Sequence, residues 1–422
     1  MTNTSIQNEL SPRQRVLVLA HRLPYPPDRG DRIRSYHILR TLHDKFDLAI
    51  ACTSDESVWL QHHQLLSTMA RRVAIMPISS RWSTLRSIWA MLCGNCATSA
   101  FYYRTGLAQQ ILQWHEQDPF DAILTYCTGM ISYARVLTHR HMINANTITK
   151  RPRHIIDLVD VDSLKWQSFS RHSWAPMRWA YVTEARRLQR IEAGTYDAFD
   201  GIAVTTQAEA NAYQNHIDST KQVTVINNGV DLEYFRPTPD ADNNTIVFVG
   251  VLNYWPNTEG VCWFVRCVMP LLRQLQPKTR FLIVGRHPTQ KIRDLDREQG
   301  ISVIGSVPDI REYLSQASVV IAPLLIARGI QNKILEAMAC AKAVVCSVGA
   351  AEGVDVIDGE HLIVAKTPQQ WAKSIGQLFE DRALRTRLGQ SARQQVEKRY
   401  DWSQCLEPMV QLIKGSQGNT TA

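Results

Sequence analysis

The segment SVVIAPLLIARGIQNKILEAMA, residues 318–339, runs from a β-branched apolar stretch through a short loop into a strong helix former. Strand, loop and helix in that order make part of a parallel βαβ unit. Arg328, Gly329 and Ile330 stand at the join, with Lys333 and Glu336 within the next two turns. First-turn amides lack intrahelical acceptors and Gly329 permits close backbone approach, so the join is a candidate anion site. Lys333 supplies a point charge suited to phosphate and Arg328 a second, while Glu336 is placed to accept hydrogen bonds from sugar hydroxyls. A phosphorylated sugar compound is the ligand this pattern suggests. The plainer alternative is a helix start with Lys333 and Glu336 in ordinary surface pairing.

The same alternation extends in both directions. Apolar runs at VLVLAH (16–21), DLAIACTS (47–54), VAIMPI (73–78), DAILTY (121–126), HIIDLVD (154–160) and DGIAVTT (200–206) each precede helical periodicity. After the turn-rich VTVINNGVDLEYFRPTPDADNN (223–244) come TIVFVG (245–250), FLIVG (281–285), ISVIG (301–305), SVVIAP (318–323), AVVCS (343–347) and HLIVA (361–365). Near-continuous apolar strands between helices indicate parallel sheets covered on both faces. At 422 residues the chain also exceeds one ordinary core, since cores stop growing at roughly 250–300 residues. It reads as α/β, with doubly wound Rossmann-like domains over 12–235 and 240–398 and a terminal helix over 399–415. Ligands of such sheets bind beyond the carboxyl ends of the strands, which places the expected site in a cleft between two facing sheets.

Composition narrows the class. Hydrophobic residues make up 45% of the chain, ordinary for a globular protein. The start, MTNTSIQNELSPRQR, has no apolar core of a secretory signal, so a cytoplasmic location is expected. Nine cysteines lie mostly in apolar runs, as reduced thiols do, and Cys93 and Cys96 form a CxxC with no second pair to complete a zinc site. The net charge of +8 is uneven, with no acidic residue between Glu56 and Glu116. Inside that block SIWAMLCGNCATSAFYY (87–103) is uncharged and flanked by Arg81, Arg86 and Arg104. It is too polar to span a bilayer, which leaves an interfacial segment facing anionic headgroups or a core helix with a basic edge. No recognition motif or Lys/Arg-rich run supports nucleic acid as a partner.

Two further clusters follow strands. HRLPYPPDRGDRIRSYHILRTL (21–42) has a proline-stiffened loop, Gly30 at a helix start, and Arg32 and Arg34 in the first turn or so. Cations there oppose the helix dipole unless an anion is bound, which suggests a phosphate-side role. GxGxxG and GxxxxGK[ST] are both missing, which removes the usual dinucleotide and P-loop readings. In DLVDVDSLKW (157–166) the carboxylates Asp157, Asp160 and Asp162 would suit a divalent cation, or equally cap the next helix or position a hydroxyl.

With these motifs in view, VFVGVLNYWPNTEGVCWF, LIVGRHP, VIGSVPDIREYLSQASVVIAPL and RGIQNKILEAMACAKAVVCSVGAAEGV together resemble the nucleotide-sugar-binding half of retaining GT-B glycosyltransferases of family 4. PYPPDRGDRIRSYHIL and VINNGVDLEYFRP extend the resemblance over nearly the whole chain. Within the family, LNYWPNTEG, DLVDVDS and ARGIQNKILEAMA look most like the sugar transferases of bacterial exopolysaccharide and exosortase (PEP-CTERM) systems.

The resemblance implies roles at matching positions. Glu336 matches the second glutamate of a two-glutamate motif, which binds the nucleotide ribose; the first glutamate, a donor-sugar contact, is Arg328 here. The family's Arg and Lys are missing from VGVLNYWPN, which leaves Lys333 and Arg286 for the diphosphate. Val307 lies where backbone reads the base, Gly30 matches the glycine beside the diphosphate, and Asp160 and Asp162 fall near the transferred sugar. The implied reaction is retaining transfer from a nucleoside-diphosphate sugar to a glycan or polyprenol-linked acceptor, with Lys333 stabilising the leaving group and no metal or other cofactor. Domain closure would keep water from the donor, and the terminal helix would cross back to the first domain. A sugar-nucleotide epimerase or hydrolase on the same fold, or a non-catalytic nucleotide-sugar-binding partner, are the alternatives.

Overall fold

The computed structural model describes residues 13–27, 29–57, 60–143, 151–171, 173–217, 222–327 and 329–415. They form two compact units. One takes the described residues of Met1–Val204, Ala212–Thr224 and Pro408–Ala422, the other Thr205–Asn211 and Val225–Glu407.

The first sheet contains β1 (Arg15–Ala20), β2 (Asp47–Ser54), β3 (Arg72–Pro77), β4 (Ala122–Tyr126), β5 (Arg153–Val159), β6 (Gly201–Val204) and β7 (Thr224–Val225). Its order is β3-β2-β1-β4-β5-β6-β7. The second contains β8 (Thr245–Val249), β9 (Arg280–Val284), β10 (Ile301–Gly305), β11 (Val319–Ala322), β12 (Ala343–Cys346) and β13 (Ile363–Val364), in the order β10-β9-β8-β11-β12-β13. Pairings such as β1 with β2 and β4, or β8 with β9 and β11, are parallel. Central strands are buried along their length because helices cover both faces: Leu17, Ile50, Ile123, Phe248, Ile283 and Ile321 are 0% exposed.

In each sheet the strand order reverses once, between β1 and β4 and between β8 and β11. At such a reversal neighbouring crossovers leave on opposite faces, which opens a crevice beyond the carboxyl ends of the two strands. Those ends lead into His21 and Cys127 in the first sheet, and into Gly250 and Pro323 in the second.

Two local outcomes differ from the sequence reading. The turn-rich region holds a short strand, β7, and its 239–242 stretch is stitched to the second unit. Buried Lys342 donates to the carbonyls of Pro239 and Ser315 at 3.0 and 3.1 Å, and buried Arg385 bonds Asp240 and Asp242. The 87–103 stretch is no single segment: it divides between the helices Ser80–Leu92 and Ala97–Tyr102. Arg86 and Arg104 do not rim it with free charge, because both donate to backbone carbonyls at Ala100, Phe101 and Tyr103. No helix among the described residues is long and apolar enough to cross a membrane. All nine cysteines are free thiols.

Candidate functional site

In the second unit, the loop after β8 is folded over its own helix start. Asn257 Nδ2 donates to Val251 O and Thr258 Oγ1 to Leu252 O, both at 2.9 Å, at the start of the helix Trp255–Trp263. This aims Asn257 Oδ1 at Lys333, whose ammonium donates to it at 2.6 Å. Lys333 is the second residue of the helix Asn332–Ala339, so it reaches from that helix across to the carboxyl end of β8. Its Nζ lies 4.6 Å from the ring centroid of Phe248, and a Cβ placed on Gly250 would stand only 3.1 Å from it. Bare backbone at Gly250 is what leaves room for the lysine, and bare backbone at Gly285 lets the Gly250 carbonyl pack against it.

Among the described residues Lys333 makes no salt bridge within 4 Å; Glu336, one turn along, acts on its charge at longer range. Burial lowers the Lys333 ammonium to about 7, against a modest upward pull from Glu336. Burial raises the Glu336 carboxyl to about 7, with Lys333 opposing. Each group's burial thus favours its neutral form, and such perturbed groups are enriched at functional sites.

The other residues of the second unit assigned to the donor from the sequence also follow strands of its sheet. Gly329 has a positive φ of 62° and its carbonyl packs where a Cβ on Gly353 would sit. Ile330 is buried, and the N-cap Gln331 makes no side-chain capping bond. Arg286 and Val307 follow β9 and β10, the carbonyl of Arg286 accepting from Leu252 N at 2.8 Å. Arg328 lies outside the described residues.

In the first unit, the helix Gly30–His43 places Asp31, Arg32 and Arg34 beside β4 and β5. The anion that Arg32 and Arg34 called for is supplied by the chain itself. Arg34 Nε bonds Asp157 Oδ2 at 2.8 Å with both side chains 0% exposed, and Arg32 Nη2 meets Glu56 at 2.7 Å. Burial works against the Arg34 charge, but Asp157 more than compensates and its pKa rises. Gly30 is the exposed first residue of the helix.

Asp157 is thereby committed to Arg34, apart from the Asp160 and Asp162 that follow it. Its other oxygen accepts from Val159 N at 3.2 Å, and Val159 is held at φ 67°, a costly state for a β-branched residue. Cys127, after β4, has φ 69°. Paired strained residues at the ends of adjacent strands are a frequent mark of a functional site. Asp162 opens the helix Asp162–Arg171; burial raises its carboxyl, Lys165 opposes and Asp160 reinforces. Among the described residues no three His, Cys, Asp or Glu side chains gather as a metal-binding group.

Four contributors escaped the sequence reading. His21 stacks on Tyr126 at 5.6 Å, meets Tyr102 edge-on at 5.3 Å, and points Nε2 at Asp31 from 3.7 Å. Burial would raise the Asp31 carboxyl, but His21, Arg29 and Arg22 hold it well below the usual carboxylate range. Glu192, 0% exposed, accepts Ser163 N at 3.0 Å and the Ser163 hydroxyl, so it binds the first turn of the Asp162 helix; burial raises it to about 8. Asn257 is the fourth. A polar residue in an apolar helical context, as in QRIEAG (189–194), was the available signal for Glu192.

Residues 243–381 match the family model described as Glycosyl transferases group 1. The chain is 23% identical to an uncharacterized glycosyltransferase of Methanocaldococcus jannaschii, over 51% of this chain and 58% of that protein. It is 25% identical to the D-inositol 3-phosphate glycosyltransferase of Kineococcus radiotolerans, over 53% of this chain and 59% of that protein. The match thus spans less than two thirds of either relative. Among solved structures, Anabaena HepE in complex with UDP superposes with a TM-score of 0.66 at 14% identity, covering 95% of this chain and all of that one. Sucrose-phosphate synthase from Thermosynechococcus elongatus gives a TM-score of 0.68 at 16% identity, over 96% and 99%. The α/β architecture of two parallel-sheet Rossmann-like domains is that of GT-B glycosyltransferase structures.

Proposed function

We propose that this chain is a retaining hexosyltransferase of family 4, moving a sugar from a nucleoside-diphosphate sugar to a glycan or polyprenol-linked acceptor. Its setting is bacterial exopolysaccharide assembly of the PEP-CTERM-associated kind, in the cytoplasm or at the inner face of the cell membrane. The observation that carries the reading is Lys333: a half-buried ammonium, with no carboxylate in contact among the described residues, held at the carboxyl end of β8 within the region that matches group 1 glycosyl transferases. An isolated buried cation is costly unless a counter-charge arrives, and a diphosphate is such a counter-charge. Its approach restores the Lys333 proton, and the fixed charge then stabilises the leaving diphosphate as the glycosidic bond breaks.

Glu336, one turn along, accepts the ribose hydroxyls in this reading, and the amides of Gly329 and Ile330 face the phosphates. Arg286, Val307 and Gly30 complete the donor contacts, with Asp160 and Asp162 beside the transferred sugar. No metal is required, because Lys333 supplies the positive charge. HepE was solved with UDP, which makes UDP the first nucleotide to test.

Calorimetric titration of UDP, GDP, ADP and CMP into the full chain, with magnesium and with EDTA, tests the assignment. One diphosphate is expected to bind equally with and without metal. Glu336→Ala should weaken it by about 1–3 kcal/mol, as when a buried hydrogen-bond partner is removed. If no nucleotide binds, or if binding needs magnesium and ignores Glu336, the donor site is misplaced.

Arg328, standing where the family's first glutamate belongs, favours one rival: a donor-binding partner without turnover. Sustained transfer to an acceptor removes that rival.

A further inference from the structure

The helix Ser80–Leu92 is inverted. At 100° per residue, Trp82, Leu85, Ile88, Trp89 and Leu92 occupy an arc of about 120°. All five point outward, with exposures from 52% at Ile88 to 74% at Trp82. The buried side carries Ser83 and Ala90 instead. Polar bonds hold that side down: Arg104 Nη2 donates to Ser83 Oγ at 2.7 Å, Ser87 Oγ to Ala97 O at 3.0 Å, and Arg86 Nε to Ala100 O at 2.7 Å. A helix that rests on a water-facing fold normally turns its widest apolar stripe inward. Here hydrogen bonds anchor the helix so that the stripe faces out.

The far end of the helix Ala175–Ala193 touches the end of the inverted helix, where Arg187 donates to Met91 O at 2.8 Å and Asn95 O at 2.7 Å. The start of Ala175–Ala193 exposes Trp174 at 74% and Trp179 at 59%. The charges nearest these residues in sequence have one sign. No acid occurs between Glu56 and Glu116 or between Asp162 and Glu184. Glu184 itself is 1% exposed and spent on Ala97 N and Thr98 N, whereas Arg81, Arg171 and Arg178 are exposed.

We infer that Ser80–Leu92 is a docking face for an anionic lipid surface, with Trp174 and Trp179 as further exposed tryptophans of the same unit. Tryptophan favours the boundary between headgroup and acyl chain, leucine and isoleucine enter just below it, and arginine meets headgroup phosphate. A second copy docking through the same face would set an acid-free, arginine-bearing patch against itself, which charge opposes. The inference deepens the proposed function, on which it rests for an acceptor carried in a membrane, but it uses no donor-site residue. It also relocates the contact expected over 87–103: the lipid-facing residues run from Trp82 to Leu92, and Arg86 and Arg104 serve as internal anchors.

Vesicle flotation of the full chain tests it, with phosphatidylcholine alone or mixed with phosphatidylglycerol, at low and high salt. Wild type should float with the anionic vesicles, and less so at high salt. Trp82→Ser/Trp89→Ser should lower bound protein roughly tenfold while leaving circular dichroism and nucleotide binding unchanged. Equal binding to both vesicle types, or none to either, overturns the proposal. So does a wild-type dimer that the double variant splits without changing flotation, which would make this face an interface between copies. If flotation behaves as expected while no nucleotide binds, the donor reading falls and the docking face stands.

Discussion

Arg34 in the first unit and Lys333 in the second are both cations placed beyond the carboxyl ends of parallel strands, and their surroundings differ in one respect. Arg34 has a carboxylate in contact, Asp157 at 2.8 Å, and its pKa is raised. Lys333 has a neutral amide at 2.6 Å and an aromatic ring at 4.6 Å, with Glu336 acting only at range, and its pKa is lowered. The first cation has its counter-charge within the protein. The second has its carboxylate only at range, and under the proposed function that difference separates a structural cation from one that meets an anion.

The largest effect should come from breaking the complete pair. Arg34→Met strands Asp157 with no cation, at an expected loss of about 3–5 kcal/mol of folding stability in urea unfolding. Adding Asp157→Leu should recover much of it, because an apolar pair of similar volume carries no desolvation cost. A single variant that loses less than about 1 kcal/mol would erase the contrast.

Lys333→Met should act in the opposite sense. Diphosphate binding is expected to weaken by about 1.5–3 kcal/mol, the range for a charged hydrogen bond, while stability at pH 7 holds or rises. The sign follows from the depressed ammonium. Its contribution to stability is present above the ordinary value of 10.5 and is lost as pH falls through about 7. Methionine removes that loss. Wild type at pH 8 should also take up protons on binding the diphosphate, seen as a buffer-dependent heat that the variant lacks; a variant less stable at pH 7 would show Lys333 to be structural.

The smallest effect is in Glu336→Gln. The carboxyl is raised from 4.5 to about 7, so its contribution to stability is present below 4.5 and fades as pH climbs through about 7. Glutamine should flatten that slope by roughly 1–2 kcal/mol between the two values in thermal unfolding. An unchanged slope would mean that burial does not raise the Glu336 carboxyl.

The alternation of apolar runs and helical periods announced both sheets, because parallel strands buried on two faces must be apolar throughout. The same reading found Lys333 and Glu336, which sit one helical turn apart and so are close in any fold that keeps the helix. It expected a phosphate at Arg32 and Arg34, and did not foresee that Glu56 and Asp157 would contact them. Nothing local distinguishes an arginine paired with a residue 123 positions away from one that is unpaired.

What the sequence determined by itself was therefore whatever depends on periodicity and near neighbours: the strands, the order of elements, the helix start at Asn332 and its charges. Tertiary structure alone decided the partnerships that span the chain. Lys333 meets Asn257 across 76 positions, Glu192 binds the Ser163 amide across 29, and the helix Ser80–Leu92 turns its tryptophans outward because Arg86 and Arg104 fasten its polar side. Charge and burial are properties of a place in three dimensions. A residue's type states which charge it can carry, and only the groups packed around it set whether that charge is balanced.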